Sequence, residues 1–481
     1  MGHYRPVTHR TAILALTALF AASRVAAYAA GVRFDISPLG WYWQYVDPPL
    51  LQHRLLESLI YSHGQPPLFN LILGLTLKLF PATVSTAFHI QFLITGWLAL
   101  AGIFLLLTRL GVPVRIAVLL TGLWTISPAS LLYENWLFYE YLTMTLLVWA
   151  AVALHRFVEA SSGRCGVAFF ALLAAVIYTR SIFQLVWLLP VAALLMWRLP
   201  PRLVLRAAAI PLIALAALYG KNLVLFGAPT TSSWLGMNLA RGSVAQLDPA
   251  DRAALVANGT LHGVSALDPF SRVEDYVGLF PPSPPSGVPV LDMPAKTGGN
   301  PNYHARTYLP VAGEYLDDAQ WVVLNRPGTY FYTVYGSVLV FFRPSTRFWP
   351  LDVNRQHIRA YEDAVSRWVY VSTPLLRRLG FGILAAYLAA GVFAAAALTS
   401  TARTRRAPDA RGCTLLFMAF TCAYVFSVSV LVESGENHRM RFVLDPLVLA
   451  IVASGVARHG LRLDTDDVVS LPTDPGLPVE R

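Results

Sequence analysis

Charge is what this chain has least of. Of its 481 residues, 13% are Asp, Glu, Lys or Arg and 56% are hydrophobic. An average soluble domain carries ~25% charged residues. Length alone would allow roughly three soluble domains, but this composition cannot cover three soluble surfaces. It excludes a cytosolic globular enzyme and a disordered chain. Lysine is nearly absent: Lys78, Lys221 and Lys296 stand against 34 arginines, a bias that fits GC-rich bacterial coding. There are only three cysteines, Cys165, Cys413 and Cys422, all in or beside apolar runs. They offer no disulfide framework and no Cys-x-x-Cys site. P-loop, His-Glu-x-x-His, Gly-x-Ser-x-Gly and Gly-rich dinucleotide motifs are all missing, which disfavours ATP-driven transport and nucleotide-sugar chemistry. No internal or inverted repeat of the secondary-transporter kind is visible.

What is present is apolar sequence in long runs. Ten runs approach bilayer-crossing length, at about 11–31, 86–108, 113–131, 137–155, 165–179, 182–197, 203–222, 376–399, 413–432 and 441–458. Two shorter runs, 66–80 and 329–343, read as interfacial or re-entrant helices. Arginine placement orients the set. With a cytoplasmic N-terminus, sixteen arginines fall in cytoplasmic segments, and only Arg180, Arg439 and Arg441 fall in short outer loops. Counting 66–80 as a span would turn the basic loops outward, against the positive-inside bias. The expected fold is therefore an all-α polytopic membrane protein of about ten spans, both ends cytoplasmic. The +10 net charge belongs to this topology, not to nucleic acid. The first run is longer than a signal-peptide core, so Ala27-Tyr28-Ala29 is read as part of an anchor.

The expected organisation follows. Residues 1–222 form an N-terminal bundle whose first outer loop, 32–85, carries interfacial helices. Residues 223–375 form a mixed extracytoplasmic domain, with a stiff Pro-rich linker at 281–285 and a helix over 310–326 that stops before Pro327. Residues 376–462 return to the membrane. The acidic, Pro-rich tail 463–481 is expected to be disordered.

Ionisable groups at the outer membrane edge are costly, so they are functional candidates. Asp35 lies about one turn beyond the first run. Apolar surroundings would make it a better general base on a hydroxyl; alternatively it pairs with Arg33 or caps the next helix. Asp47, before Pro48-Pro49, is a second candidate base, or a helix N-cap. His63 and Gln65 precede two prolines at the lip of the 66–80 run, as ligand contacts or as polar residues opening that helix. Glu134 and Glu140 sit close to the apolar phase and need partners, which Arg180 can supply, in a site or in a structural ion pair. Arg180, Lys221, His438, Arg439 and Arg441 come from different runs yet share one membrane level. An anionic head group would explain them, since guanidinium forks suit phosphate; snorkelling anchors are the alternative. No metal site is legible.

An acidic residue after the first span, Gln65-Pro66-Pro67-Leu68-Phe69-Asn70, and an Arg-rich last outer loop before Asp445-Pro446 together form a pattern. It resembles the GT-C glycosyltransferases, in the branch of protein O-mannosyltransferases and lipid A aminoarabinose transferases. The resemblance covers roughly 1–230 and 410–460. It implies inverting transfer of a hexosyl or pentosyl group from a polyprenyl-phosphate carrier to a hydroxyl of a cell-envelope acceptor (glycan, lipid or protein). The reaction would lie on the outer face of the cytoplasmic membrane and use no organic cofactor, with a divalent cation left open. On it, the base falls on Asp35. The helix-opening segment falls on His63 to Asn70. The carrier-phosphate contacts fall among Arg180, Lys221, His438, Arg439 and Arg441. Many relatives have an adjacent Asp-Glu pair where this chain has Asp35-Ile36, which keeps Asp47 in play. A flippase of a lipid-linked saccharide and a polymer-binding membrane scaffold are the alternatives from other classes. Arg24 is the main ionisable residue well inside a run, which lends the flippase little support.

Overall fold

The computed structural model describes residues 8–281, 284–370, 381–404 and 406–466. Most of the 463–481 tail and Pro282-Ser283 of the Pro-rich linker lie outside the described residues.

Short polar side chains and prolines set where the helices begin. Thr8 caps His9–Ala29 by accepting from the Thr11 N–H at 3.2 Å, and Asp409 caps Ala410–Val432 by accepting from Gly412 N at 2.7 Å. Proline occupies the first turn of Pro67–Leu79, Pro128–Glu134, Pro201–Phe226 and Pro327–Phe341, where its missing N–H costs nothing. The run expected to span over 113–131 is broken by Pro128. Val114–Ile126 and Pro128–Glu134 meet at 54°, and Ser127 caps the second piece through Ser130 N.

Six helices are long and apolar enough to cross a membrane: His9–Ala29, Val84–Arg109, Tyr139–Ala160, Pro201–Phe226, Phe381–Thr401 and Ala410–Val432. The bent pair makes up to seven. Ten spans were expected. The difference lies mainly in Gly163–Thr179 and Leu185–Arg198, of 17 and 14 residues, and in Asp445–Asp466, which is less apolar. The outward faces of the long helices are bare apolar surface, with Leu14, Ile90, Ile210, Ile213, Val224 and Val392 all exposed, as suits lipid-facing positions. Tyr139–Ala160 is the central helix. It packs on Val84–Arg109, Gly163–Thr179 and Ala410–Val432 and is buried along most of its length.

A second hydrophobic core stands apart from the bundle. Trp234, Met237, Phe270, Tyr303, Tyr308 and Tyr315 are among its members, all between residues 234 and 322. Leu235–Gly242 crosses Tyr308–Asn325 in close contact at Gly236, where a Cβ would stand 1.9 Å from the Ala312 carbonyl oxygen. Further along, Phe341, Phe342, Phe348, Leu351 and Ile358 belong to the bundle's core instead. Within the segment 223–375 the described residues form helices, 3-10 turns and loops with isolated bridges only. It is thus helix-and-loop where mixed structure was expected.

Candidate active site

Between the bundle and the second core lies a cavity of about 590 Å3. Three groups of residues frame it. The first is Trp41-Tyr42-Trp43-Gln44, held by its carbonyls. Asn70 Nδ2 donates to Gln44 O at 3.1 Å while its Oδ1 accepts from Val46 N at 3.0 Å. Lys296 Nζ donates to Tyr42 O at 2.6 Å. With its backbone fixed this way, the strip turns Trp41, Tyr42, Trp43 and Gln44 to the cavity. Trp43 packs on Phe270 and Tyr303 of the second core, each at 5.0 Å between ring centroids.

The second frame joins residues 63–65 to 231–234. His63 Nε2–H donates to His304 O at 2.9 Å, so its Nδ1 accepts from the Ser233 hydroxyl at 2.7 Å. Ser232 Oγ donates to Gly64 O at 2.6 Å. Burial pushes the His63 pKa down to about 4, so the ring is neutral and structural. The result places Gln65, Thr230, Ser232 and Trp234 on the wall. Gln65 Oε1 is buried with no hydrogen-bond partner among the described residues.

The third frame supplies charge. Glu140, fully buried in the first turn of the central helix, accepts from Arg180 Nη1 at 2.5 Å and from Arg439 Nη1 at 2.8 Å. Arg439 Nη2 donates to Glu436 at 2.8 Å. The two guanidiniums lie near aromatic rings, Arg180 at 5.4 Å from Tyr139 and Arg439 at 5.2 Å from Phe138, a favourable cation–π environment. Arg241 donates to Glu433 at 3.2 Å. Burial pushes the Glu433 carboxyl up, with Arg241 opposing. Arg180, Arg241, Arg439, Glu433 and Glu436 all line the cavity.

The remaining wall is apolar. Tyr424, Val428 and Val432 recur every fourth residue, so they form one stripe on the membrane helix Ala410–Val432. Ile182 and Met440 adjoin the same cavity, and Tyr424 OH donates to Ile182 O at 2.9 Å.

Of the residues expected at the site, Gln65, Arg180 and Arg439 line this cavity and the others do not. Asp35 has its backbone paired with Asn135 and Leu137. Its carboxylate accepts from Ser37 N at 2.9 Å, the local turn role. Asp47 is buried and accepts from Thr297 Oγ1 at 2.6 Å, beside Lys296; it ties the 296–297 loop to the segment that follows the first long helix. Glu134 takes a bidentate bond from Arg24, at 2.8 and 2.6 Å, inside the bundle, which is the structural ion pair. Lys221 is spent on the carbonyls of Ile60 and Ser62. His438 is buried against Phe348, its pKa pushed down to about 3 by burial and by Arg441 and Arg439. Arg441 donates to Arg343 O at 3.1 Å and sits 3.6 Å from Asp445.

Glu433 and Glu436 are the cavity residues that sequence reasoning passed over. Both stand in the charged stretch that holds Arg439, so the signal was there. The aromatic run Trp41-Tyr42-Trp43, between the first two long helices, was a second unused signal.

No protein-family profile matches the chain, and no curated protein matches it. Among solved structures it is similar to the archaeal oligosaccharyltransferase AglB from Archaeoglobus fulgidus, in complex with an inhibitory peptide and a dolichol-phosphate. Identity is 10% over 95% of this chain and 52% of that one, with a TM-score of 0.40. It is also similar to ArnT from Cupriavidus metallidurans in the apo state, at 12% identity over 95% of this chain and 79% of that one, with a TM-score of 0.28. The chain spans about half the length of the oligosaccharyltransferase. These likenesses concern the helical fold alone.

Proposed function

We propose that this protein is a membrane glycosyltransferase that takes a sugar from a polyprenyl-phosphate carrier and transfers it, with inversion, to an acceptor hydroxyl at the outer membrane face. One observation carries the reading. A single cavity combines two buried guanidiniums, an aromatic and amide wall, and an apolar stripe on a membrane helix. Guanidinium forks match phosphate oxygens. Trp and Tyr faces with Gln and Asn amides suit a sugar ring. The Tyr424–Val428–Val432 stripe suits a lipid chain.

In the reaction, the acceptor oxygen bonds to the anomeric carbon as the bond from that carbon to the phosphate oxygen breaks. The electron pair leaves with the phosphate, where Arg180 and Arg439 meet the growing charge. The hydroxyl proton goes to a carboxylate. We assign that role to Glu433 ahead of Asp35, because Glu433 faces the cavity and burial raises its carboxyl pKa, which makes it a stronger base than an ordinary carboxylate. The orientation of the basic loops supports placing the site outside the cytoplasm.

The test uses purified protein with polyprenyl phosphate and with neutral polyprenol, read as thermal stabilisation. The phosphate should stabilise, the alcohol should not, and Arg439→Ala should lose the effect. Transfer is then compared in Glu433→Gln and Asp35→Asn. A general base contributes roughly 10²–10⁴-fold, so Glu433→Gln should lose that much and Asp35→Asn little. The opposite ranking would return the role to Asp35. Absence of any stabilisation by the phosphate would remove the carrier reading.

A further inference from the structure

The two carboxylates on Arg439 are not equivalent. Glu140 is fully buried and shared between two guanidiniums, so it is a fixed counter-charge. Glu436 is at the cavity wall with its side chain 27% exposed, and it holds Arg439 by one bond of 2.8 Å. It makes no capping bond to its own helix, Asn437–Phe442. Gly435, at φ +92°, makes the turn that presents it and has open space around it.

The fork geometry sharpens the difference. A guanidinium offers an oxyanion two parallel donors along one edge. On Arg439, Nη1 is committed to Glu140, which leaves the Nε–Nη2 edge. Nε is buried with no hydrogen-bond partner among the described residues. Glu436 thus fills half of a two-donor edge in a cavity, and a bidentate oxyanion would satisfy both halves.

We infer that Glu436 is a built-in occupant of the donor-phosphate position, displaced when a phosphate monoester or diester takes the Nε–Nη2 edge of Arg439 and returning when the product phosphate departs. This rests on the carrier-phosphate reading above. The exchange keeps the buried Arg439 charge compensated throughout the cycle. It also weakens phosphate binding by the free energy of the bond it replaces, which favours release of the spent carrier.

The experiment is calorimetric titration of the full chain in detergent with farnesyl phosphate, farnesol and inorganic phosphate. Glu436→Gln should bind farnesyl phosphate at least about tenfold more tightly than the wild type, a factor worth about 1.4 kcal/mol. Glu436→Asp keeps the charge in the cavity but shortens its reach to Arg439, and should still tighten binding by at least about threefold if direct exchange matters more than net charge. Arg439→Ala should abolish the gain, and Arg439→Lys, which keeps the charge without the fork, should lose most of it. Unchanged or weaker binding in Glu436→Gln, or wild-type binding in Glu436→Asp, overturns the exchange and leaves the carrier reading standing. Saturable binding in neither wild type nor Glu436→Gln overturns both. Inorganic phosphate binding as tightly as farnesyl phosphate would assign the same exchange to a free anion and remove the lipid carrier from it.

Discussion

Glu140→Gln tests the centre of the site. The substitution keeps shape and one acceptor oxygen but removes the charge. Glu140 is the hydrogen-bond partner of both Arg180 and Arg439, whose side chains are each 3% exposed. Arg439 retains Glu436, whereas Arg180 loses its ion-pair partner. Removing one member of a buried pair typically costs about 3–5 kcal/mol. The cavity admits some water to both guanidiniums, and the amide oxygen still accepts one bond, so the lower end of that range, about 3 kcal/mol, is expected. That is a large share of the ~5–15 kcal/mol that keeps a protein folded. The assay is denaturation of the purified chain in mild detergent. Adding Arg180→Met to Glu140→Gln removes the stranded cation, so the double variant should be more stable than Glu140→Gln alone. A loss under about 1 kcal/mol in Glu140→Gln, or strict additivity in the double variant, would refute the shared-counter-charge account.

Three further outcomes follow from other parts of the structure. Gly236→Ala puts a Cβ against backbone at Ala312, so it should destabilise by about 1–3 kcal/mol and weaken ligand binding through Trp234 and Asn238; an unchanged melt would contradict the crossing. His63 has a pKa pushed from 6.5 to about 4 by burial. Below pH 6.5 the unfolded chain gains a proton that the folded chain refuses, so this histidine lowers stability by about 3 kcal/mol between pH 6.5 and 4. Melting of wild type and His63→Gln over that window should show a shallower fall in the variant, and parallel curves would sink the assignment. Trp349 is 60% exposed at the cavity, 5.3 Å from Trp41; Trp349→Ala should leave the melt within about 0.5 kcal/mol while raising the apparent KM for donor or acceptor, and an unchanged KM would remove it from the site.

The helices that sequence reading located best are those with local punctuation. The run at 66–80 is the helix Pro67–Leu79, 310–326 is Tyr308–Asn325, and 329–343 is Pro327–Phe341, because proline and apolar periodicity act within a few residues. The count of spans was less legible. An apolar run has the same composition whether it is straight or bent 54° at Pro128. The site divides in the same way. Arg180 and Arg439 stood out as cations at one membrane level, but so did Lys221 and Arg441, and composition does not say which cation faces a cavity and which is spent on carbonyls. Glu436 lay three residues from Arg439 in plain view, and its direction depends on one left-handed glycine turn. Arg180 and Arg439 meet only through Glu140, which is 40 residues from one and 299 from the other. Sequence reading paired Arg180 with the nearby carboxylates because a buried acid demands a cation. It could not supply the second cation, because that demand has no range in sequence. A buried acid shared by two arginines leaves one positive charge over, and Glu436 balances it in this structure. The Glu436 contact is the exchangeable half of that balance, which is why the carboxylates on Arg439, more than the residues after the first span, mark where an anion would sit.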